Sequence, residues 1–196
     1  MKYPVQNWKL FNITAGNKFG AKVSYGFHSG ADINGNGGGN TDCGTPLIAI
    51  CDGEVTSVHS HATGYGNHIH IKFNINGKDY FAHYAHLESI GVVLGQKVKE
   101  GQTVGKLGTT GNSDYCHLHF EIKNQPTGID GIARTLEDLK KWEDPLKFIE
   151  ANLGNVIISP PNQMNYKEIY DFTGNIKGLE DRSPKPDFYA PEDEFK

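Results

Sequence analysis

Between residues 46 and 123, apolar and polar positions alternate in short runs broken by glycine, the period-two pattern of half-buried strands. TPLIAICDGEVTSVHSH (45–61) reads as two strands joined at Asp52-Gly53, a type I′ hairpin signal. NHIHIKFNINGKDYFAHYAHL (67–87) alternates strictly on both sides of Asn76-Gly77 and gives the strongest hairpin in the chain. VKEGQTVGKLG predicts another short, glycine-broken strand pair, and LHFEIK (118–123) a final strand. The period changes only afterwards. ARTLEDLKKW is weakly amphipathic, and DPLKFIEANLG predicts a helix. That helix has Asp144 as N-cap, Pro145 at its first position, Leu146, Ile149 and Leu153 on one side, and Gly154 as its stop.

The pattern predicts an all-β, antiparallel core with short C-terminal helices. Residues 1–20 show no periodicity and read as an irregular lead-in. Residues 21–154 form the domain. The segment 155–196, rich in proline and acidic positions, reads as an extended or partly disordered tail.

Composition narrows the function classes. With 19 Lys and Arg against 23 Asp and Glu, the formal charge is −4, and no basic patch supplies what phosphate-backbone binding needs. No apolar run reaches membrane-span length. The opening MKYPVQNWKL lacks the apolar centre of a secretory leader, so the expectation is a chain without one, or one whose leader has been removed. The cysteines number three. They are expected to be reduced, with a Cys43–Cys51 pair as the alternative. On a straight strand Cys116 points away from the face that His117 and His119 share, which disfavours it as a metal ligand.

All nine histidines lie between residues 28 and 119. In FHSGADI, His28 and Asp32 stand four apart across a turn running into a strand. In HLH, His117 and His119 share a strand face, about 6.6 Å apart along the chain. In HYAHL, His83 and His86 are three apart and face opposite ways, with His86 expected on the face of Tyr80 and Tyr84. One carboxylate and two imidazoles suit zinc and leave a fourth position for water. The paired C-x-x-C spacings of structural zinc sites and the helical H-E-x-x-H signature are both absent.

HSGADI, GTPLIAICDGEV, GYGNHIHI, YAHL, VKEGQTVGKLGTTG and HLHFEI, in this order, resemble the lysostaphin-type, LytM-like zinc metallopeptidases over residues 25–123. DPLKFI resembles the segment that often closes that domain. The resemblance implies a compact antiparallel sheet with a groove over one zinc ion held by His28, Asp32 and His119. It implies catalytic roles for His86 and His117, and leaves open which is the general base. The implied activity is hydrolysis of stem or cross-bridge peptides of peptidoglycan at the cell wall, with delivery by a bacteriophage or another export route. Two alternatives remain: a catalytically inactive regulatory module of the same fold, and a zinc amidase cutting the glycan–peptide bond. The sequence departs from the family pattern in the glycine-rich stretch INGNGGGNTDC, which reads as a substrate wall or as a surface loop, in Cys116, and in His83. His59, His61, His68 and His70 match no catalytic position and read as structural or surface residues.

Overall fold

Strand after strand is laid down antiparallel in a computed structural model that describes residues 1–125 and 132–154. The strands are β1 (Phe11–Asn12), β2 (Lys22–Val23), β3 (Gly26–Phe27), β4 (Ala31–Gly35), β5 (Pro46–Ile48), β6 (Gly53–Ser60) and β7 (Asn67–Ile75). They continue with β8 (Lys78–Ala85), β9 (Ser89–Ile90), β10 (Lys97–Val98), β11 (Thr103–Lys106), β12 (Leu118–Lys123) and β13 (Trp142–Glu143). The main sheet runs β1-β4-β12-β8-β7-β6-β10, with β13 joined to β12. A smaller sheet runs β5-β11-β9, and β2 pairs β3. Two short helices follow, α1 (Leu136–Leu139) and α2 (Pro145–Asn152). Among the described residues no helix is long and apolar enough to cross a membrane.

The β7–β8 hairpin forms as the pattern predicts. Its turn residues Asn76 and Gly77 both take positive φ, 52° and 84°, as a type I′ turn requires. The Asp52-Gly53 hairpin does not form. β5 pairs with β11 in the small sheet, while β6 pairs with β7 and β10 in the large one. The segment 96–102 takes the intervening backbone groups, with Ala49 N–H donating to the Gln102 carbonyl, Gly101 N–H to Ala49 and Val55 N–H to Gln96. For the same reason VKEGQTVGKLG is not a strand pair, since its two halves, β10 and β11, belong to different sheets.

Register assigns the two faces of the large sheet. Phe120 stands opposite Tyr84, which stands opposite Ile69, and Ile122, Ala82 and Ile71 line up in the next row. These rows, with Ile33, Leu47, Val104 and Leu107, form the core. Each such large side chain removed from water contributes about 1.5–3 kcal/mol. Residues 1–20 are partly irregular, yet Met1 and Val5 enter this core and β1 extends the sheet beside β4.

α1 is a single turn held by a Thr135–Asp138 capping box. α2 starts where predicted, Asp144 Oδ1 accepting from the Leu146 and Lys147 N–H groups. Its packed face differs from the prediction. Pro145 and Ile149 are buried and Phe148 packs edge-on against Tyr80, whereas Leu153, at the end of the helix, is 44% exposed. The predicted tail lies outside the described residues.

The cysteine expectations are corrected. Cys43 and Cys116 form a disulfide, with Cα atoms 5.3 Å apart, and Cys51 alone is free. Cys51 is buried in the core, and burial pushes its thiol up to about 12. The disulfide closes the glycine-rich loop onto the start of β12, where Asn40 Oδ1 also accepts the Cys116 N–H.

Candidate metal centre

The second face of the large sheet carries the candidate chemistry. Register sets His119 of β12 directly opposite Asp32 of β4. His28 precedes β4 by a short turn, and its backbone is fixed through His28 N–H to the Ala21 carbonyl. Gly30 makes this entry possible, because a Cβ there would lie 2.5 Å from the Phe120 carbonyl oxygen and 3.1 Å from the His119 ring. Three ligand atoms meet as a result. His28 Nε2 lies 3.1 Å from His119 Nδ1 and 3.2 Å from Asp32 Oδ1, and the latter two are 2.8 Å apart. They are the one group of three metal-ligating side chains among the described residues whose ligand atoms all lie within 4.8 Å of one another.

The far side of each ring fixes its tautomer. His28 Nδ1–H donates to the Lys18 carbonyl at 3.2 Å, so Nε2 presents its lone pair to the centre. His119 Nε2–H donates to Glu121 Oε1 at 3.0 Å, freeing Nδ1. A carboxylate behind a ligating imidazole raises its basicity and holds its orientation. Ligands about 2.0–2.1 Å from a tetrahedral zinc stand about 3.3 Å apart, and the three observed separations lie close to that edge.

The electrostatics call for a cation at the same point. Burial opposes the charge on Asp32, yet contact with the His119 and His28 rings outweighs it and holds the carboxyl below its usual range. Burial likewise opposes a charged His119, but Asp32 and Glu121 hold its proton up to about 9. A divalent ion held by His28, Asp32 and His119 would take the place of that proton. Two nitrogens and one carboxylate oxygen are a donor set that zinc accepts, so the residues present fit the ion.

His86 and His117 flank the trio, their rings 4.8 Å apart. His117 Nδ1 meets the Tyr115 carbonyl at 2.9 Å, and its Nε2 lies 3.7 Å from Asp32 Oδ1. His86 does not share the face of Tyr80 and Tyr84. β8 ends at Ala85, and His86 takes a left-handed φ of 61°, which turns its ring away from the core and onto the metal side. Its Nδ1–H donates to the Thr110 carbonyl at 2.8 Å. Burial, then the neighbouring His119 and His117 rings, lower it to about 4, so Nε2 carries a lone pair at neutral pH. A groove of about 300 Å³ opens beside His86 and His119, lined also by Tyr25, Ser29 and Tyr65.

Sequence reasoning missed the residue beneath the site. Glu121 is fully buried and accepts from Ser29 Oγ at 2.6 Å, and from Tyr65 OH, His119 Nε2, His83 Nδ1 and Trp142 Nε1, each at 3.0 Å. Lys123, 1% exposed, supplies the counter-charge at 3.4 Å. The strand alternation that pairs His117 with His119 extends to residue 121 and was the available signal. His83, noted only as an extra imidazole, belongs to this layer. So does His70, whose Nε2 lies 3.3 Å from Lys123 Nζ.

An antiparallel sheet carrying a His, Asp, His trio that could hold a metal ion, with two further imidazoles beside it, defines a candidate metal centre. The family model for Peptidase family M23 matches residues 26–131, more than half of the chain. The chain belongs to that family, the LytM and lysostaphin family, whose members are zinc-dependent. It is similar to the catalytic domain of the antimicrobial peptidase lysostaphin from Staphylococcus simulans, at 26% identity and a TM-score of 0.57 over 74% of this chain and 97% of that one. It is 41% identical over 114 residues to the murein hydrolase activator NlpD of Escherichia coli, covering 58% of this chain and 27% of NlpD. It is 38% identical over 94 residues to the peptidoglycan DD-endopeptidase ShyC of Vibrio cholerae, covering 48% of this chain and 20% of ShyC. The chain thus spans about a quarter of the length of these two curated relatives.

Proposed function

We propose that this chain is a zinc-dependent endopeptidase that hydrolyses peptide cross-links of bacterial peptidoglycan. The supporting observation is the convergence of His28 Nε2, Asp32 Oδ1 and His119 Nδ1 to within 3.2 Å of one another, with two further imidazoles alongside. A zinc ion bound there supplies Lewis-acid polarisation of the scissile carbonyl and lowers the pKa of a water from 15.7 to about 7.

The protein's own residues do the rest. The groove admits an extended peptide and orients its carbonyl over the trio. His86 and His117 each spend Nδ1–H on a backbone carbonyl, which leaves Nε2 to take or return a proton at the reacting amide. One takes the proton of the attacking water at Nε2 and returns that proton to the departing amine, and the other accepts a hydrogen bond from the same water or amine and orients it. Glu121 holds His119 in its ligating tautomer. The chain acts at the cell wall, reached by phage delivery or another export route.

A second reading rests on the 41% identity to NlpD, named as a murein hydrolase activator. Under that reading the chain stimulates a separate hydrolase and cuts nothing itself. Retention of His86 and His117 beside the trio favours catalysis. Digestion of purified cross-linked peptidoglycan, with and without chelator, followed by fragment masses, separates the readings. The endopeptidase frees an amine at the peptide cross-link in a chelator-sensitive way. An amidase frees the stem peptide from the glycan. An activator releases no fragments until a wall hydrolase is added.

A further inference from the structure

A second group of imidazoles stands at the far end of the β6–β7 ladder, outside the centre described above. His59 is the penultimate residue of β6 and His61 directly follows its final residue, Ser60, while His68 of β7 is the cross-strand partner of His59. All three therefore project from one face. Their ring centres form a triangle with sides of 5.1, 5.6 and 5.7 Å. Nitrogens about 2 Å from a shared ion put ring centres about 5 Å apart. The His28 and His119 rings, whose nitrogens do converge, are 4.9 Å apart.

His68 is the fixed member. It is 1% exposed, and its Nδ1–H donates to the Gly66 carbonyl at 2.9 Å. Its Nε2 lone pair is therefore left buried with no hydrogen-bond partner among the described residues. A buried polar atom without a partner costs about 1–3 kcal/mol, so its persistence asks for a reason. His59 is half-buried and His61 exposed, and neither ring hydrogen-bonds a described residue. Their rings stack on one another and on His68, with interplanar angles of 18° to 29°, and do not yet aim at one point. Rotation about their side-chain bonds, fast for exposed residues, brings them round.

We propose that His59, His61 and His68 form a second transition-metal site, with Zn²⁺, Ni²⁺ or Cu²⁺ as its ligand class. An all-imidazole donor set selects these ions and rejects Ca²⁺ and Mg²⁺, which require oxygen ligands. The ion ties β6 to β7 across the turn at 61–66, where His61 N–H already donates to the Gly66 carbonyl. That turn carries Gly64 and Tyr65, which line the groove, so the ion braces one groove wall.

Equilibrium dialysis of the full chain against Zn²⁺, with bound metal counted by mass spectrometry, tests this. The expected count is two ions for the wild type, one for the double variant H59A/H61A and one for His119→Ala. The double variant changes only exposed or half-buried rings, and its circular dichroism is expected to match the wild type. His68→Gln loses the same ion. Equal counts for wild type and H59A/H61A overturn the proposal. That result is independent of His119→Ala, which reports on the other centre alone.

Discussion

The two faces of β12 are equally dry and chemically opposite. Leu118, Phe120 and Ile122 on one side are 0% exposed, and on the other Glu121 is 0%, Lys123 1% and His119 6% exposed. The apolar face is stabilised by area, without direction. The polar face is stable only because each charged atom has partners in fixed positions, and those partners reach up to the candidate metal ligands. One strand thus anchors the fold with one set of side chains and tunes the site with the other.

Conservative substitutions bring out the contrast most strongly. Glu121→Gln leaves Lys123 buried without its counter-charge and turns an NH2 towards either the three donors on Oε1 or the two on Oε2, a loss of about 3–5 kcal/mol. Ile122→Leu, its neighbour on the core face, loses less than about 1.5 kcal/mol. Urea midpoints measure both, and equal losses would break the comparison. Next in size is the Cys43–Cys116 bridge, which fixes the chain just before the two faces diverge. It closes a separation of 73 residues, and chain entropy alone makes it worth about 4 kcal/mol. Denaturation with and without reductant reads that loss, and an unchanged midpoint would show that the loop is held by other contacts.

The effect smallest per step, a pH slope, belongs to the polar face. Burial, then the charge of Lys123, lowers His70 from 6.5 to about 3. The unfolded chain therefore takes the proton first. Stability from this residue is complete above pH 6.5 and declines as pH falls towards 3, by up to about 1.4 kcal/mol per pH unit. His70→Asn is expected to flatten that slope in urea titrations run between pH 7 and pH 4.

Much of this arrangement was legible from alternation. The β7–β8 hairpin was readable because its turn is local, Asn76-Gly77 dictating the backbone by itself. The pairing of His117 with His119, and the turn from His28 into the strand of Asp32, follow from local period and glycine placement in the same way. Asp52-Gly53 misled because β5 finds its partner in β11, far along the chain, while β6 pairs with β7 and β10, and no local signal encodes that split. His86 was set on the wrong face because a single left-handed residue at a strand end breaks the alternation. The cysteine bridge depends on a loop returning to the start of β12. Glu121 sat in the quoted motif, but its burial follows from Trp142, Ser29 and Tyr65 closing over it, contacts that only the folded chain assembles.

The central claim is that one imidazole of H-x-H holds the cation and its neighbour moves protons. Zinc content and peptidoglycan turnover, measured together on His117→Ala and His119→Ala, test it most directly. The account predicts that His117→Ala keeps its zinc at the His28, Asp32 and His119 centre and loses about 10²–10⁴ in rate, while His119→Ala loses both that ion and turnover. Wild-type turnover in His117→Ala, or an undiminished zinc count in His119→Ala, would contradict it.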